Sequence, residues 1–160
     1  MVKLRDIEQG DWDWLLANCA SIGGDEVVAG GFLHRLKDYD AIVAEQDGSP
    51  VGFVVFKASA VRWQVLAIVA TREGSGIGTA LLQELEKRAK AAGAAQVRLS
   101  TTNENFTALR FCQMRGYRMR QLIPGAFEEA KKLKGIPSSQ IVLGHHDIEI
   151  RDEIILNKDL

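Results

Sequence analysis

The sequence predicts an α/β (α+β) fold, a mixed central sheet with helices packed on both faces. Three observations predict it. Short apolar runs bounded by turn residues recur along the chain, and two stretches, 76–92 and 105–114, switch to helical spacing. An Asp47-Gly48-Ser49-Pro50 turn joins two apolar segments as a hairpin. Strands followed by strand–helix–strand–helix–strand then describe a sheet that carries helices on either side. At 160 residues the chain reads as one domain, 1–160, long enough to bury a core.

Val2–Arg5 is predicted as the first strand. Asp11 caps a helix through Trp12, Leu15, Leu16 and Cys19, which are apolar at helical spacing. Residues 21–39, with glycine pairs at Gly23-Gly24 and Gly30-Gly31, predict a mobile, partly helical connection. Residues 41–45 and 51–57 are the hairpin strands, and 62–69 is the fourth strand. The helix at 76–92 ends at Gly93 and turns Ile77, Leu81, Leu85 and Ala89 toward the sheet. A strand at 97–101, a helix at 105–114, a strand at 117–123, a short helix at 126–133 and a last strand at 153–157 complete the prediction.

The most specific stretch is Leu66-Ala67-Ile68-Val69-Ala70-Thr71-Arg72-Glu73-Gly74-Ser75-Gly76-Ile77-Gly78-Thr79. A strand runs through a glycine-rich turn into a helix, exposing unpaired amides at the positive end of a helix dipole. Glycines at 74, 76 and 78 let an anion approach the backbone. The alternative is a tight turn that binds nothing. No glycine here is followed by Lys and a hydroxyl residue, which excludes a P-loop. The dinucleotide fingerprint fails in both frames, ending on Thr79 or Leu81.

Leu66-Ala67-Ile68 with Glu73-Gly74-Ser75-Gly76-Ile77-Gly78 resembles the acetyl-CoA loop of GNAT-type N-acetyltransferases. Asn105, Ala108, Leu109, Phe111, Gly116 and Tyr117 resemble that family's second segment. The block 103–117 and the ending Ile150-Arg151-Asp152-Glu153-Ile154 are similar to bacterial members without an assigned acceptor. The resemblance implies a mostly antiparallel sheet whose middle strands splay apart to admit acetyl-CoA. It implies acetyl-CoA as acetyl donor, with direct transfer to a primary amine of a small molecule, peptide or protein. It implies that Glu73, Gly74, Ser75, Gly76, Ile77, Gly78 and Thr79 hold the pyrophosphate and that Ile68 and Ala70 pair with the pantetheine arm. The Ile68 amide would also donate to the acetyl carbonyl. Asn105 would bind the pantetheine arm, cap a helix, or do both.

Three positions depart from the family. Glu73 replaces the usual Arg or Gln, with Arg72 the nearest cation. Cys112 stands where a Tyr often protonates the departing CoA thiolate. A free thiol titrates near ~8.5, so Cys112 has the capacity to act as a weak acid; a small buried apolar role is the commoner use of such a residue. Arg62 stands where some members carry a basic Glu early on the fourth strand. Glu26, Glu104, Asp152 and Glu153 are the remaining carboxylates considered as general base. His34, Arg62, Gln64 and Thr102 are the acceptor-side candidates.

A net charge of −1 supplies no electrostatic footprint for nucleic acid or an anionic membrane. No apolar run approaches a membrane span, and no secretory signal opens the chain. Two separated cysteines make neither a disulfide framework nor a metal site. His145-His146-Asp147 reads as loop, because three consecutive residues cannot close a metal shell. A cytoplasmic protein with no metal is expected, and the family often forms homodimers. The competing reading is a non-catalytic acetyl-CoA-binding sensor or regulatory domain, motivated by Arg62 and Cys112.

Overall fold

The computed structural model describes residues Met1–Leu160. Seven strands hydrogen-bond in the order β1-β4-β5-β6-β7-β9-β8, and β2 and β3 form a separate two-stranded sheet. The chain divides into two compact units, Met1–Val27 with His34–Val97 and Asp159–Leu160, and Val28–Leu33 with Arg98–Lys158.

The first unit holds β1 (Val2–Asp6), α1 (Trp12–Ala17), β4 (Asp40–Gln46), β5 (Ser49–Lys57), β6 (Arg62–Ala70) and α2 (Ile77–Ala91). β1–β4, β4–β5 and β5–β6 are antiparallel. Alternation along β5 sends Phe53 and Val55 to one face, where they join Trp12, Leu15, Cys19 and Leu36 in a buried core. Each large aliphatic or aromatic side chain withdrawn there contributes roughly 1.5–3 kcal/mol. The opposite face receives α2, whose Ile77, Leu81, Leu82, Leu85 and Ala89 are buried. Gly52 sets how close that helix comes. A Cβ at Gly52 would stand 2.7 Å from Ile77 Cγ2 and 2.9 Å from the Val69 carbonyl oxygen.

The second unit holds β7 (Gln96–Thr102) from Arg98 onward, α3 (Phe106–Met114), β8 (Arg118–Ile123), α4 (Ala126–Lys134) and β9 (Glu153–Asp159) up to Lys158. β8 and β9 are antiparallel. Residues 28–33 are the tip of the hairpin formed by β2 (Glu26–Ala29) and β3 (Phe32–Arg35).

Two expectations are corrected. Residues 21–39 are chiefly this hairpin, with single 3-10 turns at Ala20–Ile22 and Leu36–Asp38. Gly30 and Gly31 take φ of +61° and +83°, the paired left-handed conformation of a two-residue hairpin turn. Asp11 does not cap α1: its backbone is helical and its side chain makes no cap bond. Its carboxylate instead accepts the Glu8 amide at 2.8 Å and both Arg5 guanidinium nitrogens at 2.6 and 3.0 Å. The carboxylate thus closes a capping box on the 3-10 turn Gln9–Asp11 and takes the Arg5 fork at the same time, which turns it away from the start of α1.

Candidate active site

The glycine turn follows β6 directly. Thr71 N–H donates to the Val51 carbonyl at 2.9 Å and the Ser75 hydroxyl to the Arg72 carbonyl at 2.6 Å, so the turn is held from both ends. Gly74 and Gly76 take φ of +70° and +81°, where a side chain is strained. Gly76 is the N-cap of the 15-residue α2. No atom lies within 4 Å of where a Cβ would stand on either glycine, so the approach to this backbone is open. Ala80 N–H bonds back to the Gly76 carbonyl at 3.0 Å, and the amides of the turn before it lie at the positive end of the helix. Arg72 and Glu73 are exposed beside them. This arrangement suits a phosphate-bearing ligand.

Along β6, Ile68 pairs with Val54 and Ala70 with Gly52. Gln64 is half-buried opposite Lys57. Arg62 donates from Nε to Gln96 Oε1 at 3.1 Å, so this guanidinium is tied to an amide. Trp63 stacks on Phe56 with ring centroids 4.9 Å apart, and Trp14 meets Phe53 edge-on at 6.0 Å. His34 is buried, its Nδ1 2.9 Å from the Tyr39 hydroxyl.

In the second unit, Asn105 caps α3 by accepting the Ala108 amide on Oδ1 at 3.1 Å. Cys112 lies on that helix and is 4 % exposed. Burial pushes its thiol up to about 11, against a smaller pull from Arg115. A thiol there is neutral at physiological pH.

The segment from Thr102 to Asn105 organises this unit. Asn103 Oδ1 accepts the Arg151 and Asp152 amides at 2.8 and 3.1 Å, while its Nδ2 donates to the Glu149 carbonyl at 3.0 Å. Glu104 is buried and accepts the Thr102 hydroxyl and the His145 amide. With residues 149–152 fixed by Asn103, Asp152 Oδ1 receives the Gly125 amide at 2.9 Å and holds the start of α4.

A cleft of about 250 Å³ opens between the hairpin tip and α4. Val28, Gly30 and Gly31 of the hairpin line it together with Ile123, Ala126, Phe127, Glu129 and Ala130, and with Thr102, Asp152 and Glu153. Of the four acceptor-side candidates, Thr102 alone lines it. Burial raises the Glu153 carboxyl above its ordinary range, opposed by the Gly30 amide and Arg98. Glu153 was among the candidate carboxylates; the walls were not anticipated. The Gly30-Gly31 turn between Val27-Val28 and Phe32-Leu33 was the signal available for the hairpin wall. No group of three or more His, Cys, Asp or Glu side chains is placed to hold a metal ion. No helix is long and apolar enough to cross a membrane.

The fold and the glycine turn define an acetyltransferase, and the chain belongs to the acetyltransferase (GNAT) family, whose profile matches residues 4–117. Among curated proteins it is similar to the uncharacterized Bacillus subtilis protein YdhI, with 33 % identity over 138 residues, 85 % of this chain and 84 % of that one. Among solved structures it resembles the IAA acetyltransferase of Bacillus cereus, with a TM-score of 0.77, 20 % identity and full coverage of both chains. A GNAT family acetyltransferase from Elizabethkingia anophelis with acetyl-CoA bound superposes with a TM-score of 0.76 at 18 % identity, covering 99 % of this chain and 98 % of that one.

Proposed function

We propose that the chain acts as one catalytic domain, 1–160, and transfers the acetyl group of acetyl-CoA directly to a primary amine. The observation that carries this reading is the pair of left-handed glycines, Gly74 and Gly76, with open space above both at the start of α2. The acetyl-CoA held by the Elizabethkingia protein of the same fold supports the choice of donor. In this reading the amides from Gly74 to Thr79 receive the pyrophosphate, with Glu73 at the rim. Ile68 and Ala70 present backbone to the pantetheine arm, and the amide of Asn105 extends to it while its oxygen caps α3. The Ile68 N–H polarises the thioester carbonyl.

The amine nitrogen forms the new N–C bond as the thioester C–S bond breaks. The nitrogen loses a proton, and the CoA thiolate leaves and takes one up. Cys112 is a poor source of that proton, since its thiol is buried and held near 11; we assign it to packing and leave protonation to solvent. Arg62, tied to Gln96, positions the end of β6 and is no base. The second reading, a sensor that binds acetyl-CoA without turnover, rests on Arg62 and Cys112 standing where the family usually carries Glu and Tyr.

The test is release of CoA thiol from acetyl-CoA across a library of primary amines, paired with calorimetric titration of acetyl-CoA. Binding with turnover of at least one amine is expected. Absence of binding at millimolar acetyl-CoA overturns the proposal. Binding without turnover across the library, including protein N-termini and lysines, selects the sensor.

A further inference from the structure

We propose that the outer edge of β8 is a docking strand for an extended acidic segment of another protein, one in which carboxylates alternate with apolar residues. The inference does not depend on the acetyl-transfer reading.

The backbone comes first. β8 (Arg118–Ile123) ends the seven-stranded sheet and pairs with β9 on one side only. On an edge strand alternate N–H and C=O groups point outward. No turn, side chain or further strand takes up those of β8. The strand is exposed from Arg118 through Leu122, so the edge is open to solvent.

Charge then selects the partner. The stretch 105–127, which covers α3 and β8, holds Arg110, Arg115, Arg118 and Arg120 and no Asp or Glu, in a chain of net charge −1. Arg115 is engaged with the Phe111 carbonyl and ring. Arg118 and Arg120 are exposed and pair with no carboxylate. Opposite Arg118 on β9 stands Asn157, which carries no charge. The other edge strand differs: on β1, Arg5 is held by Asp11 and Glu45, and Asp6 by Arg88. Uncompensated guanidinium groups beside open backbone suit carboxylates.

Register sets the side-chain pattern. Met119 pairs with Leu156 and Leu122 with Ile154, and those two β9 residues lie two apart on one face. The bulge between Met119 and Gln121 therefore brings Met119 and Leu122 to the same face, although they are three apart in sequence. They are 48 % and 58 % exposed. Arg118 and Gln121, opposite Asn157 and Ile155, share the other face. An added strand of alternating acidic and apolar residues lays hydrocarbon beside Met119 and Leu122 and carboxylates on the arginine side.

Two other occupants fit less well. A second copy paired antiparallel across a two-fold axis would gather Arg118 and Arg120 of both chains with no carboxylate among them. A phosphate backbone offers acceptors alone and would leave the outward C=O groups of β8 without donors. Arginines on an edge guard it against self-pairing, and the same charges admit an acidic strand.

The probe is a short synthetic peptide of alternating Glu and Val, acetylated and amidated at its ends so that it carries no amine, titrated calorimetrically into the full chain. It should bind at least tenfold more tightly than the Lys–Val counterpart and than the same acidic peptide with every amide N-methylated. The double variant Arg118→Glu, Arg120→Glu should reverse the preference between the Glu–Val and Lys–Val peptides, while its circular dichroism and unfolding temperature stay those of wild type. No binding of the acidic peptide at millimolar concentration overturns the proposal, as does equal binding of the Lys–Val or N-methylated peptide. A single-stranded oligonucleotide that binds as tightly shows that charge alone acts, and the docking strand falls. A dimer in sedimentation that Met119→Asp with Leu122→Asp dissociates assigns the edge to a second copy and overturns it too.

Discussion

The buried carboxylate of Glu104 lies 2.7 Å from His145 Nδ1 and accepts the His145 backbone amide at 3.0 Å through the same oxygen. Its other oxygen takes the Thr102 hydroxyl, and Gly144 lies against it so closely that a Cβ there would stand 2.5 Å from Glu104 Cδ. His146 and Asp147 follow with φ of +60° and +58°, unfavourable for side-chain-bearing residues. Glu104 is therefore the anchor that holds a strained turn, and the residue pins the loop between α4 and β9 to the end of β7.

Replacing Glu104 with Ala leaves those donors without their acceptor and should destabilise the protein by about 1–3 kcal/mol in urea unfolding. The pH dependence has a definite sign. Burial alone would push this carboxyl up, but the bonds from Thr102 and His145 hold it below its ordinary value. A carboxylate depressed in the folded state contributes stability above the unfolded Glu pKa of ~4.3, lost as pH falls from there through the folded value. Wild type should thus lose stability on acidification faster than Glu104→Gln. Parallel acid limbs would refute this.

Gly76→Val should abolish acetyl-CoA binding in calorimetry. The left-handed backbone at φ +81° would carry a β-branched residue at a cost of about 1–2 kcal/mol, and the added atoms would fill the open approach. Binding that persists would mean the pyrophosphate is held elsewhere.

Gly52→Val should lower stability by about 1–3 kcal/mol through overpacking against α2. The nearer clash, with Ile77 Cγ2, can be relieved by a side-chain shift, but the Val69 carbonyl belongs to the sheet. Thermal unfolding checks the cost, and acetyl-CoA titration should show weakened binding because α2 carries the turn's last amides.

Cys112→Ala should leave turnover within a few-fold of wild type. With the thiol held near 11, roughly one molecule in a thousand carries a thiolate at pH 8. Burial also raises the thiol of Cys19. Neither cysteine should react with iodoacetamide in the native protein at pH 8, and both should react after denaturation, as read by intact mass. Rapid native labelling of Cys112, or loss of activity in the Ala variant beyond tenfold, would restore it as a chemical participant.

By itself the sequence determined the order of the seven main-sheet strands and the four α-helices, the glycine turn and the family. Those signals are local: apolar period, glycine spacing and a strand–turn–helix junction are written in neighbouring residues. The hairpin at residues 26–35 was legible only in part. Its Gly-Gly turn is a local signal, but β2 and β3 are four residues each, too short for a periodic pattern to declare them. Asp11 caps a different turn from the one the sequence suggested: its carboxylate reaches back to the Glu8 amide and to Arg5, which lies on another element. The cleft could not be read from the chain at all. Val28, Gly30, Phe127 and Glu153 line it from distant parts of the chain, while Asn103 holds the Arg151 and Asp152 amides and Asp152 holds the start of α4. Glu153 was one carboxylate among several in the sequence; tertiary structure distinguished it by burying half of it among hydrocarbon, where a charge needs a partner.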